Sequence, residues 1–498
     1  MATERLMIVR LAGEIAIKSR RTRSGFLRRL ESNLEAALAT TGGEYEVELD
    51  WSRVLVRADP AHALPVLVRV FGVNSIAVVE AELPADLEEI VRKGEALFRD
   101  RVEGKRFAVR ARRAGEHDFN SKDIERQLGA ALVPYGKVDL TEPEITVRVE
   151  VRGEDAWLYV DDIPAAGGFP LGVGGHALVL LSGGYDSAVA AWQVLKRGVA
   201  VDYVFCNLGG DAYERAVVQV GKRLADEWSY GTRPRLHVID CGELVDQIRG
   251  RTKESYQQMV LKRVMYRIGS AVAAEIGAEA IVTGEALGQV SSQTLTNLVA
   301  LEPAADVPVL RPLLTFDKVE IVERAREIGT AALSEQVKEY CAIAPGRPVT
   351  AAAERAVAAE EAKLETTAIE RAVAERKVLD LRALTPMDLV APYIFIDTIP
   401  DDAVVLDCRT EKEYAAWHLP GAERRDEWDL LAEARRLDRD RTYILYCAHG
   451  TQTAHLAEQL QREGVEAYSF RGGVRGVMKF AEAMATAPAG SMPAGGGR

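Results

Sequence analysis

The chain has 498 residues, 48% hydrophobic and 28% charged, a globular composition whose length predicts roughly three domains of about 150 residues each rather than one core. The opening MATERLMIVR lacks a charged stretch followed by an apolar core, and no apolar run approaches the roughly 20 residues that span a bilayer, so a soluble cytoplasmic protein without a membrane partner is expected. Net charge is −12, and the five cysteines form no CxxC pair and no metal-ligand spacing, which argues against a secreted disulfide framework and supplies no metal site.

Residues 5 to 17 read as a strand, the basic stretch through Thr40 as a helix, and Tyr45 to Ala58 as further strand, a small α+β unit placed at 1–60. Helical patterns near 61–71, 85–101 and 120–134 then alternate with strands at 106–112, 144–151 and 156–160, giving a second unit at 61–165. The negative total hides two clusters without an acid. Lys18, Arg20, Arg21, Arg23, Arg28 and Arg29 form one, and Lys105, Arg106, Arg110, Arg112 and Arg113 the other. Either alone is compatible with a solvated face; together they suggest a footprint for phosphates.

Glycines between Gly167 and Gly175 mark a boundary. Beyond it, Ala177 to Leu181 is an apolar strand running into Ser182-Gly183-Gly184-Tyr185-Asp186-Ser187 and then into a helical pattern. A glycine turn between buried strand and helix presents backbone N–H groups at the positive end of the helix dipole, a site for nucleotide phosphates. An ordinary tight turn would explain Gly183 and Gly184 but not Ser182, Asp186 and Ser187. The loop is neither a Walker loop nor GxGxxG; SGGxDS resembles the pyrophosphate loop of ATP pyrophosphatases. Further strands at 199–207, 234–240 and 279–283, separated by helices, predict a doubly wound parallel sheet over 172–347.

Residues 350 to 378, rich in Ala, Glu, Lys and Arg, read as connecting helix, so 348–400 is taken as a helical linker. A smaller α/β unit with strands at 403–407, 443–446 and 466–469 occupies 401–485, and the Gly, Pro and Ala content of 486–498 predicts a disordered tail. The strand at 443–446 ends at Cys447, with a helical pattern beginning near Ala454. A thiol at a helix N-terminus is stabilised as thiolate or persulfide by backbone N–H groups. LDCRTEKEYAAWHLPGA at 406–422 resembles the partner segment of rhodaneses. Gln452 and Thr453 depart from the rhodanese loops that carry an Arg there, which speaks against activity on free thiosulfate.

The loop VTGEALGQVSSQTLTN from Val282 to Asn297, taken with SGGYDS, GEHDFNSKDIERQLG at 115–129 and Glu339-Tyr340-Cys341, resembles the tRNA 4-thiouridine synthetases (tRNA uracil 4-sulfurtransferases) along nearly the whole chain. The resemblance implies a multidomain α/β and α+β architecture: a ferredoxin-like domain, a THUMP domain that grips tRNA, a PP-loop pyrophosphatase domain and a rhodanese-like domain. Lys105, Arg110, Arg112 and Arg113 would then face tRNA. ATP would contact the backbone of Leu180 and Leu181, with Ser182, Gly183, Gly184, Ser187, Lys262, Gly284, Gln293 and Lys318 completing the site and Asp186 placing magnesium-bound phosphates. The implied activity is adenylation of the uridine at position 8, attack by sulfur carried on Cys447, and resolution by Cys341 through a Cys341–Cys447 disulfide. Implied partners are a cysteine desulfurase, a disulfide reductant and a small sulfur carrier protein for thiamine thiazole synthesis. Two other classes stay open at this stage. One is mainly a persulfide relay protein; the other is an RNA-binding protein whose enzyme domain has decayed.

Overall fold

The computed structural model describes residues 4–50, 53–160, 162–335, 337, 348–385, 394–400, 402–448 and 450–486. The chain forms two compact units, one of Met1–Gly174, Leu195–Val199 and Glu227–Thr232, the other of Gly175–Val194, Ala200–Asp226 and Arg233–Arg498.

The first unit carries two five-stranded sheets. One orders Ile163–Pro164, Val73–Val78, Arg5–Leu11, Arg53–Ala58 and Tyr45–Asp50, antiparallel throughout. Alternation along Arg5–Leu11 sends Met7 and Val9 to one face, against Leu30, Leu34 and Leu38 of helix Arg20–Ala39, and Leu6 and Ile8 to the other, against Trp157. The sheet therefore extends past residue 60, because Val73–Val78 pairs with Arg5–Leu11. The second sheet orders Ala81–Pro84, Asp155–Tyr159, Ile145–Arg152, Arg106–Ala114 and Lys137–Val138, under helices Leu87–Val102 and Ser121–Leu132. Asn120 and Asp123 close a capping box that fixes where the latter helix starts.

The second unit carries a six-stranded and a five-stranded sheet. In the former, Val309–Leu310, Ala280–Val282, His176–Leu180, Ala200–Asn207 and Arg235–Asp240 run parallel. His176–Leu180, the first of these strands in the chain, lies inside the order, so strands add to both sides of it and a crevice opens at its carboxyl end. Helix Gln257–Ile276 covers one face, with Val260, Val264, Ile268 and Val272 buried.

The segment expected to be a linker is corrected here. Helices Glu354–Glu361 and Thr366–Ala374 pack Val357, Ala368 and Val373 into the same core, and Lys377–Asp380 pairs antiparallel with Arg235–Asp240 as the sheet's edge. Charged residues dominate its composition, but valine and alanine recur at helical spacing, and a short helix needs only that narrow stripe to dock. Glu361 adds ion pairs to Arg263 and Arg267.

The last sheet, Phe395–Ile396, Ala467–Phe470, Tyr443–Tyr446, Val404–Asp407 and Glu423–Arg424, is all parallel. Residues 487–498, which include nearly all of the expected tail, lie outside the described residues. No helix among the described residues is long and apolar enough to cross a membrane.

Candidate functional site

Strand His176–Leu180 delivers Ser182 to the carboxyl end of the six-stranded sheet, where the chain turns into helix Tyr185–Lys196. Gly183 turns with φ +79°, and a Cβ there would lie 3.0 Å from Val217 and 3.1 Å from Val337. Glycine alone makes that turn without strain. The two serines then lock it. The Ser187 hydroxyl accepts the Ser182 N–H at 3.2 Å, donates to the Gly184 carbonyl at 3.1 Å, and lies 3.2 Å from the Ser182 hydroxyl. Tyr213 donates to the Ser182 carbonyl at 3.1 Å. The loop is thus held in shape by its own side chains.

Asp186, in the first turn of the helix, points its carboxylate into a crevice. Lys318 donates to both carboxylate oxygens at 2.9 Å, and Gln289 donates to Oδ2 at 3.0 Å. Lys318 opens helix Lys318–Glu327, whose start is fixed by a capping box between Asp317 and Glu320. Two cavities adjoin here, sharing Gln289 and Val290. A cleft of about 690 Å³ is lined by Gly184, Tyr185, Gln289, Phe316 and Lys318. A smaller cavity of about 160 Å³ is lined by Leu180, Ser182, Asp186, Lys262, Gly284 and Gln293. Ser187 lines the smaller cavity as well. Leu181 lines neither: it is buried, and its N–H bonds the Val204 carbonyl at 2.9 Å.

Gly284 has a packing reason of its own. A Cβ there would stand 2.5 Å from the Asp186 carbonyl carbon and 2.6 Å from the Ser187 nitrogen, so the loop after strand Ala280–Val282 presses backbone against backbone. Nearby, Gln293 Oε1 and Ser292 Oγ are buried without a hydrogen-bond partner among the described residues, and both residues line the cavity, where a ligand could satisfy them.

The sequence reading passed over Glu285. It is 4% exposed, and its carboxylate accepts from Lys262 Nζ at 3.0 Å, Tyr266 Oη at 2.5 Å, Thr283 Oγ1 at 3.0 Å and Arg311 Nε at 3.0 Å. Burial alone would raise its pKa; the charge of Lys262, the Tyr266 hydroxyl and Arg311 together bring it down to about 2. Burial and the neighbouring Glu285 charge push the Tyr266 hydroxyl far up, so it stays a donor. An acid three residues beyond a buried strand was the signal available. Its donors, spread from Lys262 to Arg311, were not visible as a set.

At the second candidate centre, strand Tyr443–Tyr446 ends at Cys447, which is 4% exposed. Gly450 donates its N–H to Cys447 Sγ at 3.2 Å, and the Thr453 hydroxyl lies 3.6 Å from the sulfur. Ser469 lies 2.8 Å from Thr453 and donates to the Gly450 carbonyl at 2.9 Å. Gly450 has φ +88°, and a Cβ would stand 3.1 Å from the Gly473 nitrogen. The helix begins at Thr451, three residues earlier than the sequence pattern suggested, which brings its N-terminus to the sulfur. Arg215 and Glu458 approach to 4.0 Å between helices Gly210–Trp228 and Thr451–Arg462. Cys341, with Glu339 and Tyr340, lies outside the described residues, as does His449. Cys206, Cys241 and Cys408 are buried.

Of the expected phosphate contacts, Lys105, Arg110 and Arg112 are exposed, and Arg110 and Arg112 share one face of strand Arg106–Ala114. Arg113 points to the other face, bonded to the Gly115 carbonyl at 2.7 Å and 3.0 Å from His117 Nδ1. Arg29, in the first basic cluster, is turned inward: Nε donates to the Leu171 carbonyl at 2.7 Å and Nη2 to the Gly231 carbonyl at 3.0 Å.

Comparison with known proteins gives matches along the chain. Residues 172–366 match the family described as thiamine biosynthesis protein (ThiI), residues 6–77 its ferredoxin-like domain, residues 84–161 a THUMP domain and residues 395–479 a rhodanese-like domain. A tRNA sulfurtransferase of Desulfurococcus amylolyticus is 40% identical over 472 residues, 94% of this chain and 97% of that protein. That of Pyrobaculum aerophilum is 40% identical over 475 residues, covering 94% and 96%, and that of Sodalis glossinidius is 35% identical over 473 residues, covering 92% and 98%. A crystal structure of a 4-thiouridine synthetase–RNA complex with bound ATP superposes with a TM-score of 0.68 at 33% identity, over 76% of this chain and 99% of that one. A structure of PH1313 from Pyrococcus horikoshii gives 0.53 at 28% identity, over 65% and 99%.

Proposed function

Because the chain belongs to the tRNA sulfurtransferase family, we propose that this enzyme uses ATP to activate the uridine at position 8 of tRNA and replaces its C4 oxygen with sulfur carried on Cys447. The observation that carries the reading is the convergence of Ser182, Asp186, Ser187, Lys262, Gly284 and Gln293, remote in sequence, on one cavity. The solved relative that holds RNA and ATP supports the same assignment of substrates.

The C4 carbonyl oxygen is a poor leaving group. Its attack on the α-phosphate of ATP releases pyrophosphate and turns it into AMP, a good one. The loop N–H groups and the helix N-terminus supply positive potential where phosphate charge must be held. Lys318, paired with Asp186, and Lys262, which lines the smaller cavity with Asp186, add cations. A single carboxylate such as Asp186 fits a magnesium ion that takes its other ligands from phosphate and water, and the ion would neutralise phosphate charge there.

The sulfur enters from a persulfide on Cys447, loaded by a cysteine desulfurase. Its terminal sulfur attacks C4 and the C4–O bond breaks, releasing AMP. The thiolate of Cys341 then attacks Cys447 Sγ, cleaving the S–S bond to leave sulfur on C4 and a Cys341–Cys447 disulfide, which a reductant reopens. The Gly450 N–H and the Thr453 hydroxyl suit this task, since both can stabilise an anionic sulfur.

A second reading, transfer of Cys447 sulfur to a small carrier protein for thiazole synthesis, is favoured by the thiamine description of the family matched at residues 172–366. The two separate at Asp186. Asp186→Asn should stop thiolation and spare relay.

The test incubates unmodified tRNA with ATP, magnesium, cysteine and a desulfurase, comparing the intact chain with Cys447→Ala. ATP-dependent 4-thiouridine that disappears in the variant is the expected outcome. Equal thiolation by Cys447→Ala would remove the rhodanese-like domain from the sulfur path.

A further inference from the structure

We infer that Glu285 is a positioning residue for nucleotide activation, setting the ammonium of Lys262 on the wall of the smaller cavity; the inference rests on the reading of that cavity as the ATP site. The division of labour on its carboxylate carries the argument. Oε2 takes the Tyr266, Thr283 and Arg311 donors, and Oε1 takes Lys262. Three donors from three segments fix the carboxylate in space, and the remaining oxygen fixes the lysine.

The elements are suited to that purpose. Lys262 and Tyr266 are four residues apart on helix Gln257–Ile276, hence on one face of it. Glu285 stands directly after Gly284, whose backbone contact with Asp186 and Ser187 ties the phosphate loop to the same segment. Arg311 is itself anchored, donating to Glu302 at 2.7 Å and to the Tyr266 hydroxyl at 3.1 Å. A flexible lysine in an open pocket would sample many rotamers; paired to a fixed, buried carboxylate its ammonium is held at one place on the cavity wall. A carboxylate serving stability alone is found against the same helix, at the end of helix Glu354–Glu361. Glu361 pairs with Arg263 and Arg267 away from the smaller cavity.

The full-length protein with Glu285→Gln, Lys262→Met, both changes together, and Glu361→Gln as the structural comparator separates the possibilities. Thiolation kinetics are measured against ATP and, separately, against tRNA, with melting temperature recorded for each. Glu285→Gln should raise KM for ATP or lower kcat by about tenfold or more, as losing an oriented charged hydrogen bond does, with KM for tRNA unchanged. Added to Lys262→Met, it should cost far less than it does alone, because its effect passes through the lysine. Glu361→Gln should lower the melting temperature without that ATP-specific change. The inference is overturned if Glu285→Gln changes ATP and tRNA parameters equally, or if the two substitutions are additive. Should Glu285→Gln fail to fold, Glu285→Asp keeps the charge but withdraws it from Lys262; wild-type ATP kinetics in that variant would equally overturn it. Absence of ATP-dependent thiolation in the wild type would instead sink the function on which the inference stands.

Discussion

The ammonium of Lys318 stands 2.9 Å from both carboxylate oxygens of Asp186, so the acid at the head of the phosphate loop is already paired with a cation. Under the proposed function, Lys318 would turn from Asp186 toward the phosphates of a bound nucleotide. That exchange gives the first prediction. Lys318→Met should reduce 4-thiouridine formation by at least about a hundredfold, the scale of losing a charge-stabilising group in an active site. Loading of sulfur onto Cys447 from a desulfurase, followed with radiolabelled cysteine, should be unchanged.

Gly284→Ala places a methyl group 2.5 Å from the backbone of Asp186. Neither segment can retreat, since each is anchored in the parallel sheet. The substitution should cost about 1–3 kcal/mol as an overpacked contact. It should also abolish ATP binding measured by calorimetry. An alanine variant that binds ATP normally would mean that the two segments separate more easily than their packing implies.

The Thr453 hydroxyl, 3.6 Å from Cys447 Sγ and 2.8 Å from Ser469, is buried. Thr453→Val keeps the shape and removes the hydroxyl. Persulfide transfer to tRNA should slow by about fivefold to tenfold, the worth of one hydrogen bond of about 1 kcal/mol. Single-turnover thiolation with preloaded Cys447 persulfide reads this step. Thr453→Ser should restore the rate.

The folded pKa of Glu285 is about 2, below the ordinary 4.5. Lys262 and Tyr266 face it from helix Gln257–Ile276 and Arg311 from beyond strand Val309–Leu310, with Glu302 on the far side of Arg311. A depressed carboxyl pKa contributes stability that is fully present above the unfolded value and is lost as pH falls through the folded value. The loss should therefore run from about pH 4.5 down to about 2. Denaturant melts of Glu285→Gln should show a shallower acid limb than wild type in that window.

Arg110 and Arg112 project from one strand face, whereas Arg29 is committed to the Leu171 and Gly231 carbonyls. Arg110→Ala and Arg112→Ala should each weaken tRNA binding and reduce the slope of log affinity against log salt by about 1. Arg29→Ala should leave the slope unchanged and lower the melting temperature. Fluorescence anisotropy across a salt series distinguishes them.

What the sequence alone determined was whatever is written in neighbouring residues. SGGYDS after an apolar strand is a local device, and Gly183 and Ser187 can be read as turn and lock because their partners lie within five residues. The Cys447 loop is legible for the same reason, since Gly450 and Thr453 are its immediate neighbours. The parallel sheet followed from the alternation of strands and helices.

The tertiary structure alone decided which distant residues meet. Composition made 350–378 look like a spacer, yet Val357, Ala368 and Val373 find apolar partners on helix Gln257–Ile276, and Lys377–Asp380 finds a free sheet edge. Burial depends on what stands opposite a stripe, which the stripe cannot record. Arg29 and Arg110 carry the same charge in similar surroundings of sequence, but the fold half-buries Arg29 between two backbone carbonyls, whereas Arg110 reaches one, that of Leu140, and stays exposed. Glu285 is the sharpest instance. A lone acid in a loop reads as solvated, and it becomes a buried hub only because the fold brings Lys262, Tyr266, Thr283 and Arg311 to one carboxylate, where water is excluded and charges must answer one another.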